Sequence, residues 1–430
     1  MRRQNKGTCR TCLALATTAA FMLTPIAAGA AGLGRPTVTS ARAYGFGGAF
    51  TAVADDATAL HYNPAGLALQ PRDSILLGLQ LALPIREYTP MKTQSGVPTE
   101  GKTESSHKDI KFLPTLGYST RLKSHGVPSR IALGIGAWNT YGGSGVYDPT
   151  RPNTHDKAMS VLFELVPGIA YEVNDFLAIG AGLRLGLGIF QVVANDRPVD
   201  GEIESMGLGA GVTLGVMLTP VADFRIGLVY RSAITASTAG SGTSYTLGRE
   251  KKDGIVPVDV SHEQPWPQAA SLGLAYRLGR VRLSTQVDWT DWSKVDQIVA
   301  VLRPVYPDDN PLVEDYDFQD SIAVHAGGEI SVSQGLELRA GYTLDGNAIP
   351  DRTLQRHQLG GPKHGVALGT GVKLGETWRV DAAFEWLFGK ARVVENNDEA
   401  YRKFQSRANQ NPGTHDSRLY TLEVNVQRVF

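Results

Sequence analysis

Along most of this 430-residue chain, apolar and polar side chains alternate with a period of two. In 377–388, Trp378, Val380, Ala382, Phe384, Trp386 and Phe388 fall on one face, and Arg379, Asp381, Ala383, Glu385 and Leu387 on the other. Residues 281–289 set Val281, Leu283, Thr285, Val287 and Trp289 against Arg282, Ser284, Gln286 and Asp288. Residues 336–345 and 224–231 repeat the pattern, with Arg339, Arg225 and Arg231 on the polar side. Such a period belongs to strands, whose successive side chains point to opposite faces. It predicts strands near 74–87, 110–121, 130–139, 158–172, 176–194, 202–218, 224–236, 267–278, 281–299, 317–331, 336–345, 362–374, 377–389 and 417–430.

The connections alternate in length. Asn174-Asp175, Gly279-Arg280, Ser333-Gln334-Gly335 and Gly375-Glu376 are short; 89–109, 140–157, 237–266, 300–316, 346–361 and 390–416 are long and polar. After residue 31 no apolar run of 18 or more occurs, and the mean hydropathy is −0.14, which excludes a bundle of membrane helices. Only helices and closed sheets satisfy every backbone group in lipid. Fourteen strands, an even number, with short turns at one end and long loops at the other, therefore predict an all-β fold, a 14-stranded antiparallel transmembrane β-barrel over 73–430. Glycine is abundant, 48 residues, and Gly180, Gly182, Gly186, Gly188, Gly365, Gly369 and Gly371 fall on inward positions, where they leave room or let a second backbone approach. The last strand alternates Tyr420, Leu422, Val424, Val426, Arg428 and Phe430 against Thr421, Glu423, Asn425, Gln427 and Val429. A terminal aromatic closing an amphipathic strand resembles the signal read by the barrel-assembly machinery, an expected partner.

The two ends of the chain differ in character. Residues 1–30 read as a secretory signal peptide: Arg2, Arg3, Lys6 and Arg10, then an apolar core, then Ala28-Gly29-Ala30 as the cleavage site. Cys9 and Cys12 lie inside it, so their C-x-x-C spacing leaves with the signal and the mature chain has no thiol. Loss of four basic and no acidic residues takes the formal charge from 0 to −4, which does not suit a nucleic-acid partner. Residues 31–72 do not alternate. They are rich in Gly and Ala, with helical turns expected near 49–54 and 56–61, an N-cap at Asp55 or Asp56, and a stop at Asn63-Pro64. Val53, Leu60, Tyr62 and Leu67 give this segment enough apolar content to pack as a plug in the lumen.

The stretch from Ala52 through Val53-Ala54-Asp55-Asp56-Ala57-Thr58-Ala59-Leu60-His61-Tyr62-Asn63-Pro64-Ala65-Gly66-Leu67 to Ala68 resembles the N-terminal hatch signature of the FadL family. Asp288-Trp289-Thr290-Asp291-Trp292-Ser293 resembles a strand-end motif of the same family. These are outer-membrane transporters of long-chain fatty acids and aromatic hydrocarbons. The resemblance implies a 14-stranded barrel plugged by a small N-terminal helical hatch. It implies capture of a hydrophobic ligand (fatty acid, hydrocarbon or detergent) among the loops, transfer to a lumen site, and lateral or hatch-gated release. The hatch motif here is Asn63, Pro64, Ala65 and Gly66. By position the gate strand is the third, carrying Trp138, Asn139, Gly142 and Gly143, where the glycine pair supports a bulge or an ordinary loop start equally.

Arginines on inward faces could fork onto a ligand carboxylate. Arg184, Arg231 and Arg339 are the candidates, against lumen pairing with Asp288, Asp381, Glu385 and Glu423. Trp289, Trp292, Trp378, Trp386 and Tyr420 fit an interfacial girdle. One departure stands out: the loop at 195–201 is short and polar, and 237–266 begins rich in Ser, Thr and Gly, so a loop-built capture groove is expected to be reduced. His107, His155, His262, His325, His357, His364 and His415 are scattered, with no nucleophile elbow and no His-Glu-x-x-His, so neither catalytic residues nor a metal or cofactor is predicted. A general diffusion porin and a structural or adhesive barrel are the alternatives. The expected setting is the bacterial outer membrane, as a monomer in contact with lipid and lipopolysaccharide.

Overall fold

The computed structural model describes residues 36–91, 101–127, 129–148, 155–194, 201–245, 255–394 and 412–430. The signal-peptide expectation lies outside them. Fourteen strands form one closed antiparallel barrel. They are β1 (Ser74–Pro90), β2 (Lys111–Arg121), β3 (Ile131–Val146), β4 (His155–Asn174), β5 (Leu177–Ala194), β6 (Gly201–Val221) and β7 (Phe224–Arg231, resuming at Ile234–Tyr245). Then follow β8 (Ile255–Trp266, resuming at Ala269–Leu278), β9 (Val281–Thr290, resuming at Gln297–Arg303), β10 (Leu312–Asp315, then Ser321–Ser331) and β11 (Leu336–Asp345). The wall ends with β12 (Lys363–Leu374), β13 (Trp378–Phe388, then Arg392–Val394) and β14 (Gly413–Val429). Each strand pairs with the next, and β14 pairs with β1 from Ser74↔Val429 to Pro90↔Gly413, so no edge is left along the seam.

The alternation sorts side chains as the period of two requires. On β14, Leu422, Val424 and Val426 are exposed while Thr421, Glu423 and Asn425 are buried in the lumen. On β13, Phe384 and Trp386 face out and Asp381 and Glu385 face in. The outward apolar band continues through Leu79, Ile135, Leu183, Leu228, Leu272, Val324 and Leu368. A patch of that size is incompatible with a monomer in water and is the surface that lipid covers.

Several strands run further than the sequence pattern suggests. β7 and β8 extend through most of 237–266, which reads as loop because Ser237, Ala239, Ser241 and Thr243 on one face are small or polar. They pair from Trp266↔Ile234 to Ile255↔Tyr245. A strand that projects beyond the hydrocarbon needs no apolar outer face, so the signal fades although the ladder continues. β3 and β4 likewise continue into 140–157.

The lumen is filled from both ends. At the short-turn end sits the N-terminal segment, with helices α1 (Ala41–Gly45) and α2 (Ala59–Tyr62) and a 3-10 turn over Pro64–Leu69. The helical turn expected near 49–54 is present as a single turn, in which the Val53 and Ala54 amides donate to Phe50 O at 3.0 and 2.8 Å, and the one near 56–61 is α2, shifted towards the C-terminus; α1 has no counterpart in the sequence pattern. Ser40 caps α1 by accepting from the Ala43 amide at 3.2 Å. Thr58 is the N-cap residue of α2, and Asp56 acts two residues earlier by accepting from the Thr58 amide at 2.9 Å. Phe46, Phe50, Val53, Leu60 and Leu67 are buried and cluster with Trp138 and Met217 of the wall. At the long-loop end, Trp292, Phe318, Ile349 and Leu354 from inserted loops pack on Tyr141, Leu162, Ile234 and Trp266.

Candidate functional site

The N-terminal segment is held by the inward polar residues that the alternation set in the lumen. Gln286 Oε1 accepts from the Phe50 and Thr51 amides at 3.0 and 2.8 Å. Gly47 O is bonded to His325 Nδ1 at 2.7 Å and to the Thr343 hydroxyl at 2.5 Å. Gln80 Nε2 donates to Tyr44 OH at 2.9 Å. Sequence reasoning did not single out Gln286, His325 or Thr343; an uncharged polar residue facing a lumen carries no signal of what it will meet.

The motif Asn63-Pro64-Ala65-Gly66 lies at the point of closest approach to the wall. Asn63 Nδ2 donates to Thr51 O at 3.2 Å and Val216 O at 3.0 Å, while Oδ1 accepts from the Ala65 amide at 3.1 Å. Asn63 thus closes α2, opens the next turn and ties both to β6. The wall opposite has no side chain: a Cβ on Gly215 would stand 2.2 Å from Asn63 Oδ1, and one on Gly180 would stand 2.4 Å from the Pro64 carbonyl carbon.

A charged belt fixes the same segment at its other edge. Asp55 is bound by Arg42, by Arg282 at 3.1 Å and by Arg225 at 3.8 Å. Burial pushes its carboxyl up, but Arg42, Arg282 and Arg225 together outweigh this and hold it well below the usual carboxylate range. Asp56 next to it has a raised pKa, because burial exceeds the help from Arg42 and the Thr58 hydrogen bonds. His61 is held neutral, its pKa well below 6.5, by burial first and by Arg231 and Arg184 nearby.

The three predicted arginines all face inward and are buried, and they separate by partner. Arg184 forks onto Glu164, with Nε to Oε2 at 2.8 Å, and donates to Ser232 O at 2.6 Å. Arg339 is wholly buried among Glu329 (2.7 Å), Glu337 (2.7 Å) and Asp381 (2.8 Å). Both are saturated by the protein. Arg231 forms neither ion pair nor hydrogen bond through its side chain among the described residues; its charged neighbours are Arg184, Glu164 and Asp288.

The third strand carries the geometry of a window. The β2–β3 ladder runs from Arg121↔Ala132 to Leu116↔Ala137 and stops. Beyond it β3 pairs only with β4, and Thr140 is an extra residue between Asn139↔Phe163 and Tyr141↔Leu162. The bulge falls at Thr140, before Gly142 and Gly143, which continue in register. Contact with the β2 side resumes where the His107 amide donates to Val146 O at 2.8 Å. Asn139 bridges the bulge, donating to Tyr141 O at 2.9 Å and Leu162 O at 3.1 Å. Trp138 is buried edge-on against His61, centroids 5.3 Å apart, and the Thr37 amide donates to Thr140 O at 2.7 Å, so the N-terminal segment abuts the window.

Above the N-terminal segment lies a cavity of about 850 Å³, its open mouth included. Tyr141, Gly142 and Gly143 of β3 line one side; Phe190, Trp266, Trp292, Phe318 and Leu359 make it apolar; Arg86 of β1 also borders it. Trp292 therefore lies inside the barrel and not in the girdle expected from sequence. Its motif sits on the break in β9 between Thr290 and Gln297, which turns the chain inward. Trp378 and Trp386 do lie on the lipid side.

No curated protein matches the chain. The structure is similar to that of a Pseudomonas aeruginosa FadL homologue, with TM-score 0.75 at 17% identity over 92% of this chain and 100% of that one. The Pseudomonas putida toluene transporter TodX aligns with TM-score 0.66 at 15% identity over 94% and 100%. The Ralstonia pickettii toluene transporter TbuX gives 0.65 at 16% over 93% and 99%. At these identities the likeness speaks to the fold, and the family rests on the sequence itself. The model of the outer membrane protein transport family (OMPP1/FadL/TodX) matches residues 14–430, so the chain belongs to that family of outer-membrane transporters for hydrophobic compounds.

Proposed function

We propose that this protein takes small apolar or amphipathic solutes from the long-loop side into the lumen cavity and releases them sideways through the window between β2 and β3. The observation that carries this reading is the coincidence of three features: an apolar cavity, an interrupted ladder beside it at Tyr141–Gly143, and a lumen filled below by the N-terminal segment. A solute that dissolves poorly in water gains nothing from a wet pore but gains the full transfer free energy of its apolar surface along a dry lateral route. The same filling argues against a general diffusion porin and against a barrel with only a structural or adhesive task.

Residues 1–30 serve as the export signal, 31–72 as the hatch, and Asn63, Pro64, Ala65 and Gly66 set its seat on the wall. Trp138, Asn139, Gly142 and Gly143 frame the gate. Of the arginines first considered for a ligand carboxylate, Arg184 and Arg339 hold the wall together, and Arg231 keeps the ligand role. The toluene transporters among the similar structures support hydrocarbons as solutes, and Arg231 supports a carboxylate. The barrel closes on itself, which suits a monomer in contact with lipopolysaccharide outside, delivered by the assembly machinery through β14.

Deletion of Thr140 tests the lateral route. It removes the bulge residue and lets β3 run straight beside β2. Uptake of labelled hydrocarbon or fatty acid into proteoliposomes should fall by an order of magnitude or more while the barrel still migrates as a folded species on unheated gels. Unchanged uptake would overturn the side exit.

A further inference from the structure

Among the described residues, the ladder twice sets lysine or arginine directly opposite arginine on the inner face of the barrel. On β12 and β13 the pair is Lys373↔Arg379. The wall neutralises it, because Glu337 of β11 meets Lys373 at 3.6 Å and also binds Arg379. On β8 and β9 the pair is Arg277↔Arg282, and Arg225 of β7 joins them on the diagonal, since its own partner is Ala275. Like charges directly across a ladder destabilise it unless an anion lies between them. Here the protein supplies too little. Asp55 lies 3.1 Å from Arg282 but 3.8 Å from Arg225, and it also serves Arg42. Glu329 is taken by Arg339 at 2.7 Å and stands 3.9 Å from Arg282. Arg277 forms no ion pair and no side-chain hydrogen bond among the described residues; only its amide is engaged, donating to Asp223 O at 2.8 Å. The three guanidiniums line one pocket of about 640 Å³, its open mouth included, bounded by Ala52 and Val53 of the N-terminal segment. Asp223 also lines it, without an ion pair among the described residues. The pocket lies at the short-turn end and shares no lining residue with the apolar cavity.

We propose that Arg225, Arg277 and Arg282 form a binding site for a phosphate-type oxyanion, free or on a lipid head group, at the short-turn mouth of the barrel. A tetrahedral dianion suits the place better than a carboxylate. Neighbouring strands lie about 4.8 Å apart, so guanidiniums from three successive strands surround a point over β8, and each can donate to a different oxygen. Occupancy also reaches the hatch. Arg225 Nη1 donates to Val53 O at 3.4 Å and faces Asp55 at 3.8 Å, and these long contacts are the ones an anion draws away. The bound anion relieves the repulsion in the wall and at the same time loosens the edge of the hatch at Asp55. It is an effector of the hatch, distinct from any solute in the apolar cavity.

The test is calorimetric titration of sodium phosphate into the purified full-length protein in a neutral maltoside detergent, at a fixed ionic strength made up with chloride. One phosphate should bind per barrel. Arg277→Gln should weaken it by about ten- to a hundredfold, the worth of hydrogen bonds to a charged group. Removing Arg277 relieves a repulsion, so this variant should fold as well as the parent. Arg280→Gln, at the tip of the same turn and outside the pocket, should bind phosphate like the parent. No saturable isotherm in the parent would overturn the proposal, as would one undiminished in Arg277→Gln, and neither result touches the transport reading. Titration in phosphatidylcholine nanodiscs with and without phosphatidylglycerol separates the two sources. Equal phosphate affinity in both identifies a free anion; affinity lost in the anionic discs identifies a lipid head group. Saturating phosphate should also speed protease cleavage of the N-terminal segment in the parent, and an unchanged rate would overturn the coupling to the hatch.

Discussion

Gly215 faces the Asn63-Pro64 turn with no side chain, and the consequence of adding one can be worked out. Alanine there would place its Cβ 2.2 Å from Asn63 Oδ1 and 2.7 Å from Pro64 Cδ. Ordinary contact begins at 3.4 Å, so the turn must retreat by 3.4 − 2.2 = 1.2 Å. The wall cannot give way, because Gly215 is laddered to Gly180 on one side and Val229 on the other. A retreat of that size breaks the 3.0 Å bond from Asn63 Nδ2 to Val216 O and strains the 3.2 Å bond to Thr51 O. Two hydrogen bonds at about 0.5–1.5 kcal/mol each give roughly 1–3 kcal/mol against the seated hatch. That raises its unseated population by about 5- to 150-fold. Single-channel recording in planar bilayers should show openings that are rare in the parent and frequent in Gly215→Ala. Leu214→Ala, one residue away on the lipid side, should record like the parent. If Gly215→Ala folds and its current trace matches the parent, the Asn63 turn is not what seats the hatch.

Other consequences follow from the same contacts. Deletion of 31–60 should leave a folded barrel of raised ion conductance; conductance equal to the parent's counts against a plug. Asp55→Asn should loosen the hatch at neutral pH, because a carboxylate with a depressed pKa stabilises the docked state above its undocked pKa and loses that contribution only as pH falls through the docked value. Asp56→Asn should be neutral or mildly stabilising, since its raised pKa means the docked state favours the uncharged form; protease accessibility of the N-terminal segment separates the two variants. His61 has a depressed pKa, so its contribution is complete above 6.5 and declines as pH falls below that value, by at most about 1.4 kcal/mol per pH unit. Conductance should therefore rise on acidification, and His61→Gln should flatten the profile. Arg339→Met leaves Glu329, Glu337 and Asp381 buried without their cation and should cost roughly 3–5 kcal/mol in urea unfolding of the barrel.

The barrel was legible because its physical cause is written at every second residue. Lipid tolerates only apolar outward side chains, so Leu422, Val424 and Val426 could not have been otherwise. Where that demand lapses, legibility lapses too: Ser237, Ser241 and Thr243 stand above the hydrocarbon, and the strands they belong to read as loop. The hatch was legible as a unit through its composition and its Asn63-Pro64 turn, but not in detail. Short helices such as Ala41–Gly45 form because Phe46 and Tyr44 find a wall to pack on, and nothing local announces that wall. The arginines show the limit most clearly. Period alone placed Arg184, Arg231 and Arg339 in the lumen, yet only their distances to Glu164, Glu329, Glu337 and Asp381 divide those that are already paired from the one that is not. Arg86 went unnoticed because its segment, 74–87, alternates weakly: Pro84 and Ala82 blur the faces, and a single cation among Leu, Ile and Tyr looks like a surface residue.

The two fillings of the lumen differ in chemistry, and the difference bears on how a solute could pass. The N-terminal segment is fastened by many bonds of opposite kinds: amides on Gln286, a charged belt around Asp55, and the Asn63 bridge. To open it, several must break together, which makes it a poor gate for each molecule that passes. The window at β3 needs none of them broken. Its rim between Ala137 and Val146 already lacks a ladder on the β2 side, and what borders it is the Thr37–Thr140 contact and the ring of Trp138. The cheaper motion is local to the N-terminal strand-like end of the hatch, residues 36–40, while the body from Ala41 onward stays seated. On this argument, a crosslink that pins the body of the hatch to the wall should leave uptake intact, whereas one that pins Thr37 to Thr140 should abolish it. The reverse outcome would place the passage through the barrel floor.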